Sequence, residues 1–330
     1  MKVESIKTQN ISGYTSKTAM SLMFVVVAVL LFSSFFFEKS EFNNNVASAL
    51  DRASRGAVCI ELTSRKVLYN DGANNKTFPA STTKILTALV VLDNLELSEK
   101  ITIPKEAVGI EGSSLYLKEG EVLTVDDLLY GMMLRSGNDA ATALALAVSG
   151  NIADFAKKMN ERARECGATN SNFVNPHGLH HKDHYTTAYD LALITAEAMK
   201  HSYFCKIIIS QKARIGKEDS ARVIANKNKM LRLYDGANGV KTGFTKNSGR
   251  CLVSSAKRGG MQLIAVVLNH GDMWEDSISI LDYCFDTFMM VDTEMLHLYG
   301  DYGENALNEI MTHKKLSDLK RYPVPKVALY

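Results

Sequence analysis

The chain has 330 residues, of which 46% are hydrophobic and 22% are charged, and its formal net charge is only +2. This composition is typical of a globular protein with enough residues for one large domain or two small ones. A charge so close to zero, without a long basic run, excludes any electrostatic argument for nucleic-acid binding.

The N-terminal region contains an uncharged apolar stretch, residues 19–37, with the sequence "AMSLMFVVVAVLLFSSFFF". At roughly 1.5 Å per residue, a helix of this length just crosses a hydrocarbon core of about 30 Å. The basic flank before it predicts a cytoplasmic tail, residues 1–18, and export of everything after it. A polar linker, residues 38–49, follows.

The linker also contains "ASA", residues 47–49, which resembles a signal-peptidase site but lies far beyond the apolar stretch. We therefore expect a retained anchor on the outer face of the cytoplasmic membrane. Cleavage and release to the cell wall is the alternative.

Residues 50–290 have the pattern of one mixed α/β domain of the α+β type. A hairpin is predicted at its start, where "GAVCIEL" and "KVLYN" flank "TSR", and a second near its end, where "CLVSSAK" and "MQLIAVVLNH" flank Arg258, Gly259 and Gly260. Between them, helical periodicity runs through "TVDDLLYGMML", "DAATALALAV", "IADFAKKMNERAREC" and "YDLALITAEAMK". This order predicts an antiparallel sheet that is assembled from both ends of the domain and covered by helices.

The stretch "ASTTKILTAL", residues 80–89, predicts a central helix that carries a lysine. Pro79 suits the first turn of a helix, and the residues after Lys84 are apolar all round. A buried ammonium costs several kcal/mol unless it is neutralised or paired. Ser81, three residues earlier on the same face, lies within reach of the Lys84 amine. The pair is therefore either a nucleophile with its base or one of the chance Ser-x-x-Lys matches that also occur at Ser254 and Ser317.

Ser-Gly-Asn occurs twice, at residues 136–138 and 149–151. The first copy follows a helix whose Thr124 and Asp127 fit a capping box, and precedes a helix that Asn138 or Asp139 could cap. This polar corner between two apolar helices is suited to a binding cleft. The second copy ends its helix at Gly150, so Ser149 is interpreted as structural.

"HGLHHKDH", residues 177–184, raises the alternative of a metal site because it contains four histidines. Pro176 and Gly178 argue against one continuous helix that presents them together, so no metal and no cofactor is predicted. The five cysteines are scattered without metal or redox spacing, and we predict mostly free, buried thiols.

"GVKTGFT", residues 239–245, predicts a strand. Gly243 inside it indicates that another part of the protein approaches the backbone closely. Lys241 alone could equally be a lysine on a solvated edge strand. Beyond residue 290, the sequence predicts only a short C-terminal extension, 291–330, in which "VPKVALY" is compatible with an added strand.

In this order, Ser-x-x-Lys, Ser-Gly-Asn and Lys-Thr-Gly resemble the active-site motifs of penicillin-binding proteins and serine β-lactamases. The longer segments "FPASTTKILTAL", "LLYGMMLRSGNDAATALA", "FVNPHGL", "HYTTAYDLALI", "NKNKML" and "GANGVKTGFT" resemble the D-alanyl-D-alanine carboxypeptidase family of low-mass penicillin-binding proteins. The resemblance covers about residues 50–290. It implies an antiparallel sheet covered by helices with an all-helical subdomain.

The resemblance implies a serine peptidase that removes the terminal D-alanine from peptidoglycan stem pentapeptides and is covalently inhibited by β-lactams. Ser81 would be the nucleophile and Lys84 its base, with a pKa lowered by burial and by the nearby Lys241 ammonium. Ser136 would relay a proton to the leaving amine, and Asn138 would bind the substrate backbone.

The same resemblance assigns the strand motif to the substrate. Lys241 and Thr242 would bind its terminal carboxylate, and Gly243 would leave room for the peptide along the strand edge. The backbone N–H groups of Ser81 and Phe244 would stabilise the oxyanion.

Three alternatives remain at this stage. A β-lactamase-like hydrolase of one class needs a loop Glu followed by Leu and Asn, and Glu161, Glu165, Glu197 and Glu218 all lack that context. A transpeptidase of the larger type usually carries an additional domain. A non-catalytic wall-binding protein would be expected to have lost one of the motifs, and all three are present.

Overall fold

A five-stranded antiparallel sheet lies at the centre of the described structure. The computed structural model describes residues 55–216, 221–290 and 327–329, and all of these belong to one unit, Ala53–Tyr330. The predicted tail, apolar stretch and linker (1–18, 19–37 and 38–49) lie outside the described residues. Within the described ranges, none of the helices combines the length and the hydropathy that a membrane crossing requires.

The sheet joins the two predicted hairpins and the predicted Lys-Thr-Gly strand. Its strand order is β2-β1-β9-β8-β7, and every pairing is antiparallel. The strands are β1 (Gly56–Glu61), β2 (Val67–Asp71), β7 (Ala237–Thr245), β8 (Gly249–Arg258) and β9 (Met261–Leu268). The prediction of one sheet built from both ends of the domain is confirmed.

Helices cover both faces of this sheet. The α-helices of the described residues are α1 (Lys84–Asn94), α2 (Val125–Tyr130), α3 (Asn138–Ser149), α4 (Ile152–Glu165), α5 (Ala188–Ala198), α6 (Ser202–Ile209), α7 (Met230–Leu233) and α8 (Met273–Thr287). Of these, α5 to α8 contact the sheet, whereas α1 to α4 pack mainly against other helices. Alternate residues of β1 belong to two cores: Ala57 and Cys59 pack on the α8 side, and Val58 and Ile60 on the other. Because both faces are covered, β1 reads as a continuous apolar run.

Smaller strands complete the described part of the chain. They are β3 (Lys100–Thr102) with β4 (Val122–Thr124), β5 (Lys212–Ile215) with β6 (Arg222–Ala225), and β10 (Phe288–Met290) with β11 (Val327–Leu329). The sequence analysis missed the β3–β4 and β5–β6 pairs, whereas the strand within "VPKVALY" is confirmed. The β3–β4 pair lies within the helical region.

The helix predicted around Ser81 is divided into two parts. Residues Ala80–Thr83 form a 3-10 turn, and the α-helix begins only at Lys84. Side chains at i and i+3 eclipse one another in a 3-10 turn, so the predicted proximity of Ser81 and Lys84 is preserved. We call Ala80–Thr83 the serine turn.

The first Ser-Gly-Asn forms a corner between α2 and α3. The predicted capping box of Thr124 and Asp127 is present at the start of α2, and a π-turn, Gly131–Arg135, extends that helix to the corner. The prediction that Asn138 or Asp139 caps α3 is wrong, because Gly137 is the N-cap and no side chain caps the helix. Both side chains are instead directed to other partners. Gly150 ends α3 in a left-handed conformation, as predicted.

Candidate active site

Lys84 lies at the centre of the polar cluster formed by the predicted site residues. Its side chain is completely buried at the first position of α1. The Nζ atom lies 3.0 Å from Ser81 Oγ, 2.7 Å from Asn138 Oδ1 and 2.7 Å from the His177 carbonyl oxygen. The amine therefore has three polar partners and no carboxylate in direct contact among the described residues.

These surroundings favour the neutral amine. Burial is the largest cause that holds the pKa of Lys84 well below its usual value, and the positive charges of Lys241 and Lys227 lower it further. The Asp139 carboxylate opposes this effect but is a smaller influence. A neutral amine 3.0 Å from a serine hydroxyl has the geometry of a general base beside its nucleophile.

Lys241 is the second buried lysine of the cluster. Its Nζ donates hydrogen bonds to Ser136 Oγ at 3.1 Å and to the Thr242 carbonyl at 3.0 Å. Burial, followed by the charge of Lys227, lowers the pKa of Lys241 to about 7. Lys241 is thus linked directly to the first Ser-Gly-Asn. Its burial excludes the alternative that it is a lysine on a solvated edge strand.

The strand β7 packs directly against the serine turn at Gly243. A Cβ atom on Gly243 would lie 3.0 Å from both the Ser81 nitrogen and the Pro79 carbonyl oxygen. The predicted close approach to this glycine is confirmed. Because β7 is an edge strand of the sheet, one row of its backbone groups faces away from β8 and is suited to an extended peptide. Phe244, the next residue, is 65% exposed.

A loop that the sequence analysis missed is bound to the start of α3. The Asn138 N–H donates to the Ser113 carbonyl at 2.7 Å, and the Asn138 side-chain amide donates to the Glu111 carbonyl. The buried Asp139 carboxylate accepts bonds from Ser114 Oγ at 2.6 Å and from the Leu115 N–H at 2.8 Å. The sequence signal was an aspartate directly after Ser-Gly-Asn on an apolar helix, where a carboxylate needs several donors.

The same loop contacts Lys227, which lies in the segment "NKNKML". The sequence analysis assigned no role to this lysine. Its Nζ donates to Ser113 Oγ at 2.9 Å. Partial burial and the charge of Arg135 lower the pKa of Lys227 itself. Three lysines therefore lie close together, and Lys227, the exposed one, places a positive charge beside the two buried amines.

Residues 175–179 support the serine turn from behind. Gly178 has φ +84°, and a Cβ atom there would lie 1.8 Å from the Ala80 carbonyl oxygen. The Thr83 hydroxyl lies 2.9 Å from His184 Nε2, and the Val174 N–H donates to His184 Nδ1 at 3.1 Å. Since Nδ1 is an acceptor, Nε2 carries the proton and donates to Thr83. Burial lowers the pKa of His184 to about 3, so the ring is neutral.

The histidines of residues 177–184 have separate partners. His177 is half-buried, and the loss of water around its ring lowers its pKa to about 3, whereas the His180 ring packs edge-on against Phe78. Throughout the described ranges, no three His, Cys, Asp or Glu side chains are grouped so that they could hold a metal ion.

Two residues beside the cluster have left-handed backbone conformations that favour glycine. Ala80, before the nucleophile candidate, has φ +49°, and Ser136 has φ +68°. Such conformations cost about 1–3 kcal/mol each and persist where the surrounding structure imposes them. Here they direct the Ser81 and Ser136 hydroxyls toward the two buried lysines.

Comparison with known proteins agrees with this geometry. Residues 43–272 match the family described as D-alanyl-D-alanine carboxypeptidase. The chain is 34% identical over 281 residues to the D-alanyl-D-alanine carboxypeptidase DacF of Bacillus subtilis, which covers 82% of this chain and 72% of that protein. It is 32% identical over 237 residues to the D-alanyl-D-alanine carboxypeptidase DacB2 of Mycobacterium tuberculosis. That match covers 69% of this chain and 81% of DacB2.

The fold is also similar to solved structures. A mutant of a Streptomyces DD-transpeptidase superposes with a TM-score of 0.66 at 34% identity, covering 71% of this chain and 98% of that one. The fold class predicted from the motifs is confirmed by this similarity. On its sequence, its fold and the arrangement of its three motifs, the chain belongs to the D-alanyl-D-alanine carboxypeptidase family.

Proposed function

We propose that the protein is a serine-type D-Ala-D-Ala carboxypeptidase that removes the terminal D-alanine from peptidoglycan stem pentapeptides and is acylated by β-lactams. The main support for this proposal is the arrangement of the three polar contacts around the Lys84 amine. A neutral amine donates two N–H bonds, which the two acceptors at 2.7 Å, Asn138 Oδ1 and the His177 carbonyl, can receive. Its lone pair is then left for the Ser81 hydroxyl at 3.0 Å.

Acylation follows from this arrangement. Ser81 Oγ attacks the carbonyl carbon between the last two D-alanines while its proton moves to Lys84 Nζ. The C–N bond then breaks, and the departing D-alanine nitrogen receives a proton that reaches it from Lys84 by way of Ser136. Water hydrolyses the resulting ester, with Lys84 again as base, and restores the Ser81 hydroxyl.

The edge of β7 holds the substrate in this proposal. The peptide lies along the strand edge, which Gly243 allows to approach the serine turn closely. The N–H groups of Ser81 and Phe244 face the oxyanion. Each such donor contributes about 3 kcal/mol to the transition state in comparable sites. Lys241 and Thr242 face the free carboxylate at the C-terminus of the substrate.

The test is D-alanine release from a pentapeptide together with labelling by a fluorescent penicillin. We expect both to be lost in Ser81→Ala and strongly reduced in Ser136→Ala. Ser149→Ala is the matched control, because it changes the serine of the second Ser-Gly-Asn, and we expect it to retain both activities. Undiminished labelling of Ser81→Ala would refute the mechanism.

Transfer to an amine is a second candidate outcome for the acyl-enzyme. One observation favours it: the similar Streptomyces structure is called a DD-transpeptidase, although a protein of the same strain, 37% identical over 240 residues, is called a D-alanyl-D-alanine carboxypeptidase. Adding an amino acid acceptor to the pentapeptide assay distinguishes the two. Hydrolysis predicts free tetrapeptide as the main product, whereas transfer predicts a peptide extended by the acceptor.

We also propose that the N-terminal apolar stretch, residues 19–37, anchors the protein on the outer face of the cytoplasmic membrane. Its length, its basic flank and the distance from it to "ASA" support an anchor rather than a cleaved signal. Mass spectrometry of the native protein from the membrane fraction should find residues 1–37. A soluble form that starts near Leu50 would contradict this proposal.

A further inference from the structure

Residues 111–117 form the loop that is bound to the start of α3, and this loop lies against the active site. The Asn138 side chain, which contacts the Lys84 amine, also donates to the Glu111 carbonyl. A Cβ atom on Gly112 would lie 3.0 Å from Asn138 Nδ2 and 3.9 Å from Leu179 Cδ2, in the segment that supports the serine turn. The loop therefore forms a wall of the cleft beside Asn138.

This position determines which part of the substrate the loop meets. In the proposed function, Lys241 and Thr242 bind the carboxylate of the departing D-alanine. The wall beside Asn138 is then left for the residues that precede the cleaved bond. The first of these is a D-alanine with only a methyl group, so the third stem residue carries the first side chain long enough to reach the rim of the cleft.

Tyr116, in this loop, combines an exposed ring with an unfavourable backbone conformation. Its φ is +58°, and the residue is 78% exposed. A bulky residue at positive φ is an outlier, because its Cβ atom crowds the backbone in the left-handed region. The Tyr116 N–H donates to Ser114 Oγ at 2.8 Å, which helps to hold this conformation.

The buried Asp139 carboxylate fixes the residues on either side of Tyr116. It accepts hydrogen bonds from the Leu115 N–H at 2.8 Å and the Leu117 N–H at 3.2 Å. Both leucine side chains are buried, so the tyrosine between them is held in solvent. Strained conformations of this kind concentrate at functional positions, and here the strain points to a ligand for the ring.

We propose that Tyr116 is a specificity-determining residue that packs against the side chain of the third stem residue, so that the enzyme prefers a long aliphatic chain before D-Ala-D-Ala. This inference rests on the proposed carboxypeptidase function and deepens it. The ring stands at the rim of the cleft, because the Asp139 carboxylate that holds its neighbours directly follows Asn138. Methylene groups that pack on the ring are removed from water, which favours binding.

The test compares two peptides that differ only in the length of this side chain. We would measure kcat/KM for D-alanine release from N-acetyl-L-alanyl-D-Ala-D-Ala and from N-acetyl-L-norleucyl-D-Ala-D-Ala. Wild type should prefer norleucine by about 4- to 15-fold, the effect of one or two methylene groups removed from water. Tyr116→Asn should lose activity on the norleucine peptide alone, and Tyr116→Phe should keep the preference.

The choice of asparagine separates a substrate contact from a structural role. Asparagine tolerates the left-handed conformation, so Tyr116→Asn should unfold at a temperature no lower than wild type. Val122→Asn is the matched control, because Val122 is a 54% exposed apolar residue on β4, which follows the loop in the chain. It should leave the ratio of the two kcat/KM values unchanged.

Equal cleavage of the two peptides by wild type would overturn the inference while the proposed function stands, because D-alanine would still be released. An unchanged preference in Tyr116→Asn, an equal loss on both peptides, or loss of the preference in Tyr116→Phe would also overturn it. Failure of wild type to release D-alanine from either peptide would overturn the carboxypeptidase proposal, and this inference with it.

Discussion

Burial of the Lys84 amine is the residue-scale feature on which the proposed chemistry depends. An ammonium removed from water is disfavoured by several kcal/mol, and here the nearby positive charges disfavour it further. The deprotonated form is the one that can accept the Ser81 proton. Stability and reactivity therefore select the same protonation state of Lys84.

Replacing Lys84 by Arg tests this requirement. A guanidinium stays protonated, so Lys84→Arg should form no covalent adduct with penicillin, measured by mass spectrometry of the intact protein. Lys257→Arg is the matched control, because Lys257 follows Ser254 in a chance Ser-x-x-Lys, and it should be labelled like wild type. A normal adduct on Lys84→Arg would contradict the assignment.

The positive charge of Lys227 should affect how the rate of acylation depends on pH. If Lys84 acts as a neutral base, acylation rises with pH through its lowered pKa. Lys227→Met removes a charge that lowers this pKa, so the acid limb should move to higher pH. The variant would then be slower at low pH and approach its plateau at high pH.

Lys227→Arg should retain the wild-type acid limb, because the charge remains. Lys229→Met, two residues along the chain, serves as the control, since Lys229 is exposed and lies 6.0 Å from the Trp274 ring centroid. The measurement is the rate of penicillin acylation between acid and mildly alkaline pH. An unchanged limb in Lys227→Met would show that its charge does not act on the base.

At this scale, apolar neighbours and spacing predicted the burial of Lys84 and its contact with Ser81. The second role of Asn138, as an acceptor for Lys84, was not predictable, because it depends on how the Ser-Gly-Asn corner docks against α1. The His177 carbonyl was missed for a similar reason. A backbone oxygen has no signature in the sequence.

At the scale of elements, the serine turn is held between β7 and residues 175–179. Gly243 touches it on one side and Gly178 on the other. Two glycines at van der Waals distance leave the turn little freedom to shift. The position of the Ser81 hydroxyl is therefore set by the packing of backbone against backbone.

Gly178→Ala should displace the turn. The added Cβ would overlap the Ala80 carbonyl and also occupy a left-handed backbone position. Gly109→Ala is the matched control, because Gly109 has φ +75° with no atom within 4 Å of the added Cβ. We expect Gly109→Ala to lower the free energy of unfolding by about 1 kcal/mol without affecting acylation.

Gly178→Ala should lower the free energy of unfolding by about 2 kcal/mol more than Gly109→Ala does. It should also reduce acylation strongly. Urea denaturation and penicillin labelling measure the two effects. Similar acylation by the two variants would show that the turn is not held in this way.

Hairpins and amphipathic helices were predictable because their signals are local. The 3-10 turn at Ala80–Thr83 and the π-turn at Gly131–Arg135 were not, since tertiary contacts impose them on sequences that read as continuous helix. The error in the α3 cap has a similar cause. Asn138 and Asp139 have the right chemistry for capping but are engaged by Lys84 and by the loop that contains Ser114.

At the scale of the whole domain, an ion-pair network joins elements from distant parts of the chain. The Glu197 carboxylate, on α5, contacts Arg65 at 2.8 Å, Lys200 at 2.9 Å and Arg162 at 3.5 Å. Arg162, on α4, also pairs with Asp93 at the end of α1 at 2.8 Å. Hydrogen bonds from these cations hold the pKa of Glu197 below its usual value.

Glu197→Gln should lower the free energy of unfolding by about 1 kcal/mol at neutral pH and leave acylation unchanged. Because the folded pKa of Glu197 is lowered, its contribution is present above the unfolded pKa and lost as pH falls through the folded value. The difference between variant and wild type should therefore shrink in acid. Glu165→Gln, whose side chain is 65% exposed, should have a smaller effect.

The domain-scale prediction succeeded for the sheet because strands at both ends of the domain left few other pairings. It could not supply the loop 111–117, because that loop is held by hydrogen bonds to Asn138 and Asp139 and has no periodic pattern of its own.

The pairing of β1 with β9 determines when the domain can complete its folding. Cys59 lies opposite Ala265, so β1 pairs early with β2 on one side but finds its second neighbour only when nearly the whole domain has been synthesised. Contacts between such distant residues make folding slow, and a partly synthesised chain keeps apolar strands unpaired and prone to aggregate. Any chain that terminates before Met261 lacks the strand that joins β1 to β8, and the two halves of the sheet then have no backbone pairing between them.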